Sequence, residues 1–295
     1  MNDWQANCNV QKLWARDATL WTGADEDRWR GWLGLTDDQL AHLGHLRTIA
    51  DDVRGARFTD VVLLGMGGSS WCAEVLSRTF GRLNDFPAFH VLDSTDPQQI
   101  RMLANRLDLA RTLFIVSSKS GNTLEPNILH QYFFDCVHRI VPDEPTWRRF
   151  IAITDPGSPL DHLAETRGFR HLCLGSRRLA ARYSALSDFG MVPAAVTGLD
   201  VARFLDRAEE MVHSCASCVP AAENHGVILG TVLGILARNG RDKVTIAASP
   251  DIAAFGAWLE QLLAESTGKS GCGLIPIDGE RLGSPDVYGS DRLFV

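Results

Sequence analysis

The sequence predicts an α/β protein built from two doubly wound parallel sheets, with helical N-terminal and connecting segments and an incomplete second domain. Three observations lead there. From Asp60 the chain alternates short apolar runs with helical stretches: VVLLG, FHVLD and TLFIVSS are each followed by a helix-starting segment, and the runs FIAIT and HLCL come after them. The runs are four to six residues of β-branched and aliphatic side chains bounded by Gly, Ser, Asp and Pro, which is how strands covered on both faces read. A second alternation opens at KVTIAASP and continues through GLIPIDG to RLFV.

Taken in order, residues 1–57 read as a helical N-terminal segment. Leu40, Leu43, Leu46, Ile49 and Val53 recur at helical spacing, with Thr36 placed as N-cap and Gly55 at the C-terminal end. Trp14, Trp21, Trp29 and Trp32 read as packing anchors. Residues 58–175 form the first sheet domain, with helices from about Ser70, Gln98 and Leu124. Residues 176–240 are a helical connector with amphipathic stretches at 201–219 and 226–238. Residues 241–295 carry the second sheet, with a helix over 252–266, and end at a strand without a covering helix.

Composition narrows the function. The 295 residues are 45% hydrophobic and 22% charged, which excludes disordered and collagenous chains. A net charge of −7 gives no global attraction to nucleic acid or an anionic membrane, so any anionic ligand needs a local site. No apolar run approaches the roughly 20 residues of a membrane span, and the start lacks a secretory pattern. Seven scattered cysteines, an odd number, argue against a disulfide framework and for a reducing compartment, so a cytoplasmic protein is expected. Cys215-Ala-Ser-Cys218 sits in a helical pattern, with no second pair at zinc spacing, and reads as structural.

Ligands of open α/β sheets bind beyond the carboxyl ends of strands, so the loops there carry the chemistry. The first, Gly65-Met66-Gly67-Gly68-Ser69-Ser70, permits close backbone approach and leads into a helix whose N–H groups can hold an anion. It approximates a dinucleotide fingerprint, with Asp93 in the place of the ribose-binding acid. The last glycine of that fingerprint is replaced by Ser70, and the lysine of a Walker A loop is missing. The second loop, Ser117-Ser118-Lys119-Ser120-Gly121-Asn122-Thr123, gathers hydroxyls, a cation and a helix N-terminus within seven residues. Capping needs only Thr123; phosphate binding gives a use to Ser118, Lys119 and Ser120 as well.

These loops, with Val91-Leu-Asp-Ser-Thr-Asp96, Arg182-Tyr-Ser-Ala-Leu-Ser187 and Ala264-Glu-Ser-Thr-Gly-Lys269, resemble the motifs of the glucose-6-phosphate isomerase (phosphoglucose isomerase) family of sugar isomerase (SIS) domain proteins. The resemblance runs from about residue 10 to Val295 and is similar in detail to the isomerase half of bacterial transaldolase fusions. It implies a hexose 6-phosphate substrate held by Ser118, Lys119, Ser120 and Thr123, with Gly68 and Ser69 lining the pocket. It implies Arg182 over the reacting carbons and Glu265 as general base. It further implies a homodimer, or a role beside a transaldolase, with no cofactor, metal, nucleic acid or membrane.

The implied residue types suit the reaction. Aldose–ketose interconversion moves a weakly acidic proton from C2 to C1 through an enediolate, a task for one carboxylate close to both carbons. A permanently charged guanidinium stabilises the oxyanion that develops. Two departures from the family pattern stand out. Ala180 and Ala181 replace two glycines before the arginine, which predicts strain if those positions need positive φ and crowding of the site if they need close backbone approach to the sugar. The family's C-terminal histidine and lysine have no counterpart here: no histidine follows His225, and the last lysine is Lys269. Impaired activity and an uncovered apolar face are therefore expected, and a phosphosugar-binding protein without turnover is the alternative reading.

Overall fold

The computed structural model describes residues 2–295. Helices α1 (Asn2–Ala6), α2 (Asn9–Trp14), α3 (Leu35–Ala41) and α4 (Leu43–Gly55) precede the first strand. Strands and helices then alternate: β1 (Asp60–Gly65), α5 (Trp71–Phe80), β2 (Ala88–Leu92), α6 (Pro97–Arg106), β3 (Thr112–Ser117), α7 (Leu124–Ile140), β4 (Phe150–Thr154), α8 (Pro159–Arg167) and β5 (His171–Leu174). Helices α9 (Asp188–Val196), α10 (Val201–Ser214) and α11 (His225–Arg238) lead to β6 (Lys243–Thr245), α12 (Phe255–Thr267), β7 (Ile275–Ile277) and β8 (Arg292–Phe294).

Two compact units result, one of residues 34–205 and one of residues 2–33 with 206–295. This division differs from the four segments read from sequence, because 34–57 and 176–205 join the first sheet. The reason is apolar burial. Along the strands, Val61, Leu63, Leu113, Ile115, Ile151 and Ile153 face one side, where Leu46, Ile49 and Val53 of α4 and the interior helix α9 cover them. Val62, Leu64, Phe114, Val116, Phe150 and Ala152 face the other, against α7 and α8. Each fully buried aliphatic or aromatic side chain contributes roughly 1.5–3 kcal/mol, so α4 and α9 are held by the sheet rather than by the segments around them.

The first sheet is wholly parallel in the order β2-β1-β3-β4-β5. The chain goes outward from β1 to β2, then crosses back to place β3 on the other side of β1. The carboxyl ends of β1 and β3 therefore flank the switch point, where ligands of such sheets bind.

Several local expectations are corrected. The helix expected from Thr36 is two helices, broken at His42 (φ −105, ψ 12); Thr36 is buried within α3, and Gly34 occupies the N-cap. The left-handed residue after α4 is Arg57 (φ 57), not Gly55. Trp21 and Trp29 are exposed rather than packed: the Arg30 guanidinium lies 4.7 Å from the Trp21 ring centroid, and Trp29 Nε1 donates to Asp25 at 3.2 Å. Helix α10 ends at Ser214, so Cys215 and Cys218 lie beyond it and not within a helix. All seven cysteines are free thiols, and burial pushes Cys72 up to about 12, which leaves it unreactive.

One buried group makes stability pH-dependent. His130 of α7 is 4% exposed and packed among Trp147, Phe150 and Phe169, and this burial lowers its pKa to about 4 from an ordinary 6.5. The unfolded chain takes up the proton first, so the contribution of neutral His130 is complete above pH 6.5 and is lost on acidification toward pH 4. Between pH 7 and pH 4, the wild type is expected to lose up to about 3 kcal/mol more unfolding free energy than His130→Leu. Urea titrations at the two pH values check this, and parallel losses in the two proteins would contradict it.

The other unit has a small parallel sheet in the order β7-β6-β8. Arg292 of β8 donates to Thr245 of β6 at 2.7 Å and to Glu280 at 2.9 Å. Trp14 Nε1 and Asn224 Nδ2 both donate to the Cys215 carbonyl, and Val10, Ala221 and Val227 make a minor core. Helix α11 is apolar nearly all round and leaves Leu229 and Ile235 about half exposed. Among the described residues, no helix is long and apolar enough to cross a membrane.

Candidate active site

The glycine loop after β1 and the serine loop after β3 are fastened together at the switch point. Gly65 is in register with Ser117, and the buried Ser117 hydroxyl donates to the Ser69 carbonyl at 2.8 Å. Ser69 is itself buried, so the loop is a built wall rather than a mobile surface segment.

Gly68 is required by close approach. A Cβ there would lie 2.5 Å from the Ala181 carbonyl carbon and 2.6 Å from the Arg182 nitrogen, both backbone atoms. The 3-10 turn Gly67–Ser69 thus packs on the 3-10 turn Ala181–Tyr183, and Ser184 Oγ reaches the carbonyls of Gly68 and Ala181 at 3.3 and 2.6 Å. Arg182 is half-buried, its guanidinium 5.6 Å from the Tyr183 ring centroid. The strain anticipated at the two alanines is not found: Ala180 has φ −75, and Ala181 is absent from the residues with positive φ. The freedom needed for close approach is supplied by Gly68 instead.

The serine loop is shaped by a left-handed Gly121 (φ +68), where a Cβ would lie 2.8 Å from Ser158 Oγ and 2.9 Å from Leu160 N. Thr123 stands at the N-cap of α7 with extended backbone, yet its hydroxyl makes no cap bond to the first turn. It accepts instead from the buried Ser118 hydroxyl at 3.0 Å. Ser120 is exposed, and its Oγ accepts from Asn122 N at 3.2 Å. Two adjacent hydroxyls and the N–H groups of a first turn without a side-chain cap form a group of donors suited to a phosphate dianion.

Lys119 extends the site toward β4. Its ammonium pairs with Asp155, both side chains being largely buried, and its carbonyl accepts from Asp155 N at 2.9 Å. Asp155 was not singled out from sequence, although its place directly after the FIAIT run marks it as a strand-end residue. Ser158 lies outside the motifs read from sequence, and Ser184 lies within the arginine motif without a role given to it; both act through backbone and hydroxyl contacts.

Gly68, Ser69, Ser118, Lys119, Ser120, Thr123 and Arg182 all belong to the unit of residues 34–205. Glu265 belongs to the other unit, in the last turn of α12. It is exposed, its Oε1 accepts from Gln261 Nε2 at 2.9 Å, and its carbonyl accepts from Lys269 Nζ at 3.0 Å. A carboxylate there faces the negative end of the helix dipole, so the helix gains little from it.

The fold is a doubly wound parallel α/β architecture of the kind seen in solved sugar-phosphate isomerases. A sequence model described as phosphoglucose isomerase matches residues 46–279, and the chain belongs to that family. It is 32% identical over 251 residues to a glucose-6-phosphate isomerase of Nostoc punctiforme, covering 80% of this chain and 46% of the relative. The chain therefore spans about half the length of that relative. A solved structure of a hypothetical protein from Thermus thermophilus superposes with a TM-score of 0.81 at 25% identity, over 93% of this chain and 64% of the other. A glucose-6-phosphate isomerase from Chlamydia trachomatis gives a TM-score of 0.69 at 24% identity, over 91% and 50%, and that likeness concerns the fold.

Proposed function

We propose that the chain is an aldose–ketose isomerase that interconverts glucose 6-phosphate and fructose 6-phosphate in the cytoplasm. The observation that carries this reading is the uncapped start of α7 beside the Ser118–Thr123 hydroxyl pair, at the switch point of the sheet. Family membership supplies the substrate class. The phosphate is held by Ser118, Ser120, Thr123 and the first-turn amides, with Lys119 adding charge shared with Asp155. Gly68 and Ser69 shape the wall on which the arginine turn rests. Glu265 removes the C2 proton and returns it to C1, and Arg182 stabilises the enediolate oxygen. The same reading takes the working form to be a homodimer or a complex with a transaldolase, which sedimentation with and without that partner tests.

Fructose 6-phosphate is expected to raise the melting temperature of the wild type, and Ser118→Ala with Ser120→Ala to weaken its affinity at least tenfold. Unchanged affinity in the double variant would refute the phosphate assignment. Stabilisation by the ligand without any turnover would leave the binding-protein alternative in place of the isomerase.

A further inference from the structure

On the sheet face away from α7 and α8, the ligand atoms of His45, Cys173 and Asp188 all lie within 4.8 Å of one another. They come from three elements: His45 from α4, Cys173 from β5 and Asp188 from the first position of α9. None of them belongs to the proposed isomerase machinery. We propose that this cluster is a binding site for a divalent zinc-like cation, held by an imidazole nitrogen, a thiolate and a carboxylate.

The donor set is the borderline-soft mixture that zinc takes, and three protein ligands leave one position for water. Bonds of about 2.0–2.3 Å in a tetrahedron place ligand atoms about 3.5 Å apart, so the cluster must contract by about 1 Å. His45 is exposed on its helix, where its side chain can make that movement, while Cys173 is buried in the core and half-buried Asp188 is held by Gln39.

A second observation points into the cluster. Gln39 is 8% exposed; its Nε2 donates to Asp188 Oδ1 at 2.9 Å, while its buried Oε1 has no partner. An amide that orients a ligating carboxylate and offers a spare acceptor to a metal-bound water is a typical outer-shell arrangement. Burial pushes the Cys173 thiol well up and the Asp188 carboxyl up, so both hold protons more tightly than in water. Binding would displace the thiol proton to solvent and leave a metal–thiolate bond, with no change of oxidation state.

Cobalt(II) titration of tag-free protein, followed by zinc displacement, tests the site. One equivalent of cobalt is expected to give thiolate-to-metal charge-transfer absorption and visible bands of tetrahedral intensity, and one equivalent of zinc to abolish them. His45→Ala, a surface change that leaves the core intact, should weaken zinc at least tenfold, and Gln39→Ala roughly 10–100-fold. His162→Ala, an exposed position on α8 across the sheet, should leave affinity unchanged. No stoichiometric cobalt band, or equal affinity in His45→Ala and wild type, would overturn the proposal.

Discussion

Glu265→Gln is expected to reduce isomerase turnover by about 10²–10⁴-fold while fructose 6-phosphate still binds with near wild-type affinity. The amide keeps the size of the side chain and can still accept from Gln261, so the local geometry of α12 is preserved. What is lost, on the proposed assignment, is the basic oxygen that carries the proton between C2 and C1. The substitution also removes a negative charge from the unfavourable end of α12, so the melting temperature should hold or rise. A structural role for Glu265 predicts the opposite pairing, with stability reduced and turnover kept. Steady-state kinetics beside thermal unfolding separates the two.

Gly68→Ala is expected to damage both stability and turnover. The new Cβ meets only backbone, the Ala181 carbonyl and the Arg182 nitrogen, so no side-chain rotation relieves the clash. One of the two turns must move, and such overpacking costs about 1–3 kcal/mol. Because the displaced turn carries Arg182, kcat should fall further than phosphosugar affinity, which the proposed assignment places on the Ser118–Thr123 segment. Urea unfolding and kinetics on the same preparation check this. Wild-type stability with wild-type kcat would show that the two turns are not in the rigid contact described.

Much of this site can be read in the sequence, for identifiable reasons. The strands β1, β3 and β4 are continuous apolar runs because both their faces are covered, and their ends place the Gly65 and Ser117 loops without further information. Gly68 and Gly121 are legible as glycines, but what they make room for is not, since Ala181 and Ser158 are distant in the chain. The capping role open to Thr123 could not be decided from residue type, because the competing partner, Ser118, is set by the turn at Gly121. The division into compact units differs from the segments read from sequence for a similar reason. Helices α4 and α9 are local in sequence, yet their place is decided by long-range burial against the sheet. Trp21 and Trp29 show the converse, since residue type alone suggested burial where short 3-10 turns leave them at the surface.

Proton transfer through an enediolate at a phosphosugar site can be followed by incubating the protein with fructose 6-phosphate in deuterium oxide and recording the sugar by NMR. Glucose 6-phosphate is expected to accumulate with deuterium at C2, at a rate lost in Glu265→Gln. Binding of fructose 6-phosphate with neither product nor deuterium at C1 or C2 would contradict it.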